Sequence, residues 1–376
     1  MNTKMRIALM TYAIDGRRAK GTALVARKCV LELLKRKDEL DLTFIHYEKT
    51  DDAMYREGVR EVLFPELWPR FLNRRSLRQI YYFFTTKDRY DVVQWFQPRL
   101  YPFFWFAPAT HIVVNLHGAG DITAPRAFFD IPRAVFNFVI KYFSTYITAA
   151  IAVSYAARDE IVAHYKIPPE KVHVIYNGGG EDFVPIVKEE AFRVAEAYGI
   201  DRPFVLAVSR LQPHKNLARL IDAYTRARQS GIHQLLVIVG ESAGAEKELY
   251  AQAKRSPHAD DIRFISYVRE EDLNALYSAA DLFVYPSLDE GFGLPVIEAF
   301  ASGTPVVSSN IPALKEVGGG AALLVDPHST ESIAKGIREA LGADTPKKLI
   351  DKGLARASFF TWEKAGNNLF ALYAKL

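Results

Sequence analysis

The chain has 376 residues, 49% of them hydrophobic and 24% charged, with a net charge of +4 at neutral pH. That length exceeds one ordinary domain and suits two of roughly 150–200 residues, each with enough apolar side chains for a core of its own. One cysteine, Cys29, excludes an intrachain disulfide framework and fits a reducing cytoplasm, and no apolar run approaches the ~20 residues that a spanning helix needs.

In chain order, Arg6–Thr11 reads as a first strand, and Asp15, Arg17 and Arg18 follow it too soon for a signal peptide. Lys20-Gly21-Thr22 is a glycine-bearing loop before a helical stretch. Further strands are predicted at Leu42–Tyr47, Asp91–Trp95, His111–His117, Ile151–Ser154 and Val172–Tyr176. Asn177–Pro185 is glycine-rich and then proline-bearing, the composition of a hinge. After a helix over Glu189–Tyr198 comes a second series of strands: Phe204–Val208, Gln234–Gly240, Ile262–Ile265, Asp281–Pro286, Thr304–Ser308 and Ala321–Val325. Short β-branched runs alternating with helical segments predict α/β architecture, with parallel sheets covered by helices on both faces. The expected organisation is a doubly wound domain over 1–185, a second over 186–361 and a terminal helix over 362–376.

Charge is uneven between the halves. Residues 1–185 carry 26 Lys+Arg against 20 Asp+Glu, and the remainder 22 against 24. The basic excess gathers at Arg70, Arg74, Arg75 and Arg78, among Trp68, Phe71, Tyr81, Tyr82, Phe83 and Phe84, with a second aromatic cluster at Tyr101–Phe106. This composition suits a membrane surface, with rings at headgroup depth and cations on anionic lipid. It equally suits helices that pack and let their charged ends snorkel. Nucleic acid is not expected as a partner, since the basic excess is small and no nucleic-acid motif occurs.

Two segments carry chemistry. Ser209-Arg210-Leu-Gln-Pro-His-Lys215-Asn216 joins a strand to a helix and places a guanidinium and an ammonium on the connecting loop. Glu290-Gly-Phe-Gly-Leu-Pro-Val-Ile-Glu298 sets two carboxylates eight residues apart around a glycine-rich turn. Pro295 suits the first helical position, which puts Glu290 in the loop and Glu298 in the helix's first turn. Gly291 and Gly293 let a ligand approach the backbone N–H groups, and a helix N-terminus favours anions. A carboxylate accepts two hydrogen bonds at once, which fits vicinal sugar hydroxyls. The alternative is a solvated loop glutamate and a carboxylate that only complements the helix dipole.

The Glu290–Glu298 segment resembles the E-x7-E signature of retaining glycosyltransferases of family 4, which have the GT-B fold. The likeness continues through Ala299–Ser308, with its Gly-x-Pro-Val and strand, and the 209–216 loop resembles the family's Gly/Ser-Arg-Leu-x-x-x-Lys-Asn/Gly loop. The resemblance implies two doubly wound Rossmann-like domains facing a central cleft, with the last helix returned to the first domain. It implies that Arg210 and Lys215 bind the donor diphosphate, that Glu298 accepts from the ribose and that Glu290 positions the sugar. Backbone groups of Phe292, Gly293 and Leu294 would meet the sugar and phosphate, with the base near Val268. In the first half, His117 matches a family histidine facing the sugar, Gly21 stands where a Gly-Gly pair touches phosphate, and Asp121 is an acceptor-side residue. No cofactor or metal is expected, and no Asp-x-Asp metal motif occurs.

The implied activity is transfer of a hexose, of mannose or rhamnose type, from a GDP-linked donor to a lipid-linked or growing glycan, in a cytoplasmic protein peripheral to the inner membrane face. An epimerase of the same fold and a non-catalytic nucleotide-sugar-binding subunit are the alternatives. A dehydrogenase is disfavoured by the lack of Gly-x-Gly-x-x-Gly after either first strand.

Overall fold

The structure is a computed structural model that describes residues 4–14, 21–69, 73–97, 103–118, 131–343 and 345–376. The chain divides into two compact units, Met1–Asn177 together with Trp362–Leu376, and Gly178–Thr361. Segment 178–185, which the sequence assigns to the first half, thus groups with the second. Gly180 shows the cause: its N–H donates to the Phe360 carbonyl, and a Cβ there would lie 2.6 Å from the Ala357 oxygen.

The first unit is a sheet of seven parallel strands: β1 (Met5–Met10), β2 (Leu40–His46), β3 (Arg60–Leu63), β4 (Tyr90–Trp95), β5 (Ala109–Leu116), β6 (Ala149–Ala152) and β7 (Val172–Val174). Their order is β3-β2-β1-β4-β5-β6-β7. The central strands are almost wholly buried, because helices cover both faces. β3 is not predicted from the sequence. It is a sheet edge made of Arg-Glu-Val-Leu with both ends exposed, so it carries no apolar signal. The unit's helices are α1 (Thr22–Leu34), α2 (Arg75–Thr85), α3 (Ile131–Phe143) and α4 (Tyr155–Tyr165). Cys29 is buried within α1, and burial, with Glu32 nearby, pushes its thiol up to about 12, so it packs as an inert small apolar group.

The second unit opens with α5 (Lys188–Glu196) and alternates strands and helices: β8 (Phe204–Val208), α6 (Leu217–Gln229), β9 (Leu235–Val239), α7 (Glu246–Arg255), β10 (Ile262–Ile265), α8 (Glu270–Ala279), β11 (Leu282–Tyr285), α9 (Leu294–Ala301), β12 (Val306–Ser309), α10 (Pro312–Gly318), β13 (Leu323–Val325), α11 (Thr330–Ala340) and α12 (Thr345–Ala357). The six strands are parallel, in the order β10-β9-β8-β11-β12-β13. Leu206, Leu236, Ile238, Leu282, Val284 and Val307 are fully buried at the centre of this sheet. Strand order reverses between β8 and β11, which pair through Leu282↔Val205 and Phe283↔Leu206. In an open parallel sheet the loops leaving such a point diverge and leave a crevice at the carboxyl edge.

The last helix, α13 (Trp362–Tyr373), packs on α1 in the first unit. Leu369 and Leu372 are buried, Arg36 lies over the Phe370 ring at 4.3 Å, and the Tyr373 hydroxyl donates to Gln94 Oε1 at 3.2 Å. No described helix is long and apolar enough to cross a membrane.

Candidate active site

The topological reversal decides which residues meet. The loop after β8 carries Arg210 and Lys215, the loop after β11 carries Glu290, and because β8 and β11 are neighbours the two loops leave the same edge side by side. Lys215 Nζ lies 2.5 Å from Glu290 Oε1 and 3.1 Å from the Tyr285 hydroxyl, with both charged side chains only 14% and 12% exposed. The fully buried Ser287 donates to Glu290 Oε1 at 2.8 Å and lies 3.3 Å from the His214 carbonyl. Tyr285 is buried beside that carboxylate, so its hydroxyl is held well above its ordinary range and stays neutral. Burial, with Lys215 next, depresses His214, which favours the neutral imidazole. An ammonium has three protons to give, and two are occupied by Glu290 and Tyr285.

Asn216 ties the loops together. Its backbone is left-handed at φ +60°, a conformation asparagine tolerates better than most residues, and its buried side-chain amide donates to the carbonyls of Pro286 at 2.9 Å and Pro327 at 2.7 Å. One side chain thus links the ends of β8, β11 and β13. Arg210 is exposed on the loop after β8, with no ion pair or side-chain hydrogen bond among the described residues, so its five N–H donors are open to solvent.

Glu298 departs from its expected place. Helix α9 begins at Leu294, with Pro295 second, and no acidic residue lies in its first turn. Glu298 therefore does not cap the helix. It is half-buried, and its Oε2 accepts from the fully buried Tyr277 hydroxyl at 2.8 Å. Burial pushes its carboxyl up to about 7 against the opposing pull of Tyr277, and Asp182 and Glu270 add to the rise. Before α9, Gly293 sits at φ +101°, and a Cβ there would fall 2.5 Å from Leu314 Cδ2 on α10, so both conformation and space require glycine. Phe292 is buried edge-on against Phe360.

The other predicted residues are more scattered. Val268 is buried, while Arg269 is drawn to Asp272 at 2.6 Å. In the first unit Gly21, at φ +57°, starts α1 with no atom within 4 Å of its virtual Cβ. His117 follows β5, its Nε2 3.3 Å from the Phe96 carbonyl. Asp121 and Lys20 lie outside the described residues. Arg78 is not a surface cation: it is buried and donates to the carbonyls of Pro65, Tyr47 and Phe64. Sequence reasoning misses Tyr277, Ser287 and the tying role of Asn216. Asn216 ends one of the singled-out segments and Ser287 stands three residues before the other, whereas Tyr277 lies 21 residues before its partner with no local pattern to mark it. Among the described residues no cluster of His, Cys, Asp or Glu could hold a metal.

Two Rossmann-like parallel sheets in one chain define the GT-B class. The structure of Anabaena Alr3699/HepE, determined in complex with UDP and glucose, matches it with a TM-score of 0.76 at 20% identity, over 99% of this chain and 100% of that one. The chain belongs to the glycosyltransferase family: residues 188–355 match the profile of "Glycosyl transferases group 1" and residues 20–178 that of "Glycosyltransferase Family 4". It is 32% identical over 229 residues to the O-antigen chain mannosyltransferase B of Escherichia coli, and 32% identical over 226 residues to the O-antigen chain mannosyltransferase RfbU of Salmonella typhimurium. Each match covers 60% of this chain, and 60% and 59% of those relatives, so the chain aligns with about three fifths of their length.

Proposed function

We propose that the protein is a retaining glycosyltransferase that moves a hexose, with mannose favoured, from a GDP-linked donor to a lipid-linked or growing surface glycan. The observation that carries the reading is the Lys215–Glu290 pair at 2.5 Å beside the exposed Arg210. A departing nucleoside diphosphate gains negative charge as the glycosidic bond breaks, and fixed cations in a half-buried site stabilise that charge without rearranging. Lys215 has one proton left for phosphate after serving Glu290 and Tyr285, and Arg210 has a planar fork for two phosphate oxygens. Glu290, held by Ser287 and Lys215, positions the sugar, and Glu298 accepts from the ribose. Phe292, Gly293 and Leu294 supply backbone N–H groups. Gly21 and His117 enter the proposal on their sequence match, and no metal is assigned a role. The mannosyltransferase names of the relatives support the choice of sugar.

The test is GDP release from GDP-mannose, with and without a glycan acceptor, by Arg210→Ala, Lys215→Ala and Glu298→Ala. Loss of either cation is expected to lower turnover roughly 10²–10³-fold, by analogy with the loss of an oxyanion-hole donor. Wild-type rates in all three variants would sink the assignment, and the anomeric configuration of the product decides retention. An epimerase would turn over donor without acceptor and without releasing nucleotide.

A further inference from the structure

Two amides in the first unit lie where apolar side chains would pack. Gln94 on β4 is fully buried and Asn115 on β5 is 3% exposed, among Val92, Val93, Val113 and Val114. Gln94 pairs in register with Val113, so Asn115, two residues further on, stands on the same face of the sheet. Gln94 Nε2 donates to Asn115 Oδ1 and lies 3.4 Å from the Trp95 carbonyl, and Gln94 Oε1 accepts from the Tyr373 hydroxyl of α13 at 3.2 Å. Tyr373 is fully buried too, and burial keeps its hydroxyl neutral. An apolar pair of the same shape would join these strands without desolvating two amides, so packing alone does not account for them.

The bonds run in one direction. Tyr373 gives its proton to Gln94 Oε1, which fixes the Gln94 amide with its nitrogen toward Asn115. That engages the Asn115 oxygen and leaves the Asn115 nitrogen with two donors, for which no described residue supplies an acceptor. A nine-tenths buried amide in this state calls for an oxygen from outside the chain. Its place in the fold says where that oxygen comes from. Strand order in the first sheet reverses between β1 and β4, which leaves a crevice at their carboxyl ends, and β5 is the next strand after β4. Asn115 stands at that end of β5, two residues before His117. The loop beyond it is held in place, His117 Nε2 donating to the Phe96 carbonyl at 3.3 Å and the Gly118 carbonyl accepting from the Tyr165 hydroxyl at 3.2 Å.

We propose that Asn115 contacts the substrate, its amide N–H groups donating to an accepting oxygen of the transferred hexose, and that Gln94 and Tyr373 are positioning residues that keep those donors available. The proposal rests on the sugar-transfer reading, and within it on His117 facing the hexose. It gives the last helix a part in substrate recognition: through Tyr373, α13 sets which end of a buried amide the sugar meets.

Titration calorimetry of the full chain with GDP and with GDP-mannose tests it, because GDP-mannose alone feels a contact to the hexose. Asn115→Ala is expected to weaken GDP-mannose binding roughly tenfold, as the loss of one well-placed hydrogen bond, and to leave GDP binding as in the wild type. Tyr373→Phe removes a single oxygen and leaves Asn115 in place. The Gln94 amide can then turn over and Asn115 with it, so GDP-mannose binding is expected to weaken about twofold, as half of the molecules present the wrong end, again with GDP unaffected. Circular dichroism checks folding, and Tyr373→Phe carries the test if Asn115→Ala does not fold. An unchanged ratio of the two affinities means that water alone answers the amide, and overturns the proposal. So does a parallel loss of affinity for both nucleotides, which is structural damage and no sugar contact. A wild type that binds neither GDP nor GDP-mannose removes the GDP-linked donor assigned above, and this proposal with it.

Discussion

Glu298 shows burial tuning a carboxyl upward against the opposing hydrogen bond of Tyr277. With its carboxyl raised to about 7, Glu298 is part neutral at physiological pH, yet ribose hydroxyls donate best to its ionised form. GDP binding is therefore expected to strengthen about tenfold between pH 6 and 8 and to release protons, measurable by calorimetry in two buffers. Glu298→Gln should flatten that profile, and Tyr277→Phe, which removes the bond that lowers the carboxyl, should move its midpoint upward. A pH-independent affinity would remove Glu298 from the ligand's reach. The same displacement makes the free protein less stable as pH rises: the contribution from neutral Glu298 is complete below its ordinary range near 4.5 and is lost as pH climbs through about 7. Asn216→Ala acts differently, because it takes the side-chain donor from the buried Pro286 carbonyl and leaves Pro327 with Arg219 alone, at 3.0 Å. It is expected to cost roughly 1–3 kcal/mol in a denaturant melt and to weaken GDP binding even though Asn216 touches no ligand in the proposal.

The elements repeat one device, a strand whose carboxyl end releases a loop that a helix then receives. Most of these strands are legible because helices on both faces demand continuous apolar runs, as in Leu-Leu-Val-Ile-Val of β9. β3 escapes, since an edge strand of Arg-Glu-Val-Leu needs no such run. Lys215 and Glu290 are legible as members of recognisable segments, but their pairing rests on the strand order, and the bonds of Asn216 reach 70 and 111 residues along the chain. Glu298 falls one residue past the first turn, because the sequence shows Pro295 but not that α9 starts one residue earlier, at Leu294. Gly293 is where an element boundary becomes a functional constraint. Gly293→Ala must move Leu314 or the loop, and is expected to cost about 1–3 kcal/mol and to abolish GDP binding while leaving a folded protein by circular dichroism.

At the scale of the whole molecule, the second unit is one continuous stretch, Gly178–Thr361, whereas the first is completed by Trp362–Leu376. Expressed alone, residues 178–361 should fold and melt cooperatively. Truncation after Thr361 should instead lower the melting temperature of the first unit by removing buried Leu369, Leu372 and Tyr373 from α1 and β4, with the second unit's transition unchanged. One melting transition lost in both units together would show that they do not fold separately. During synthesis, units usually fold in the order in which they leave the ribosome. Here the piece made first waits longest: its α1 face stays uncovered until α13 has emerged, after every residue of the second unit. A ribosome stalled shortly before Trp362 thus carries a finished second unit and an unfinished first one with exposed apolar surface, which makes the nascent first unit the part that calls on a chaperone.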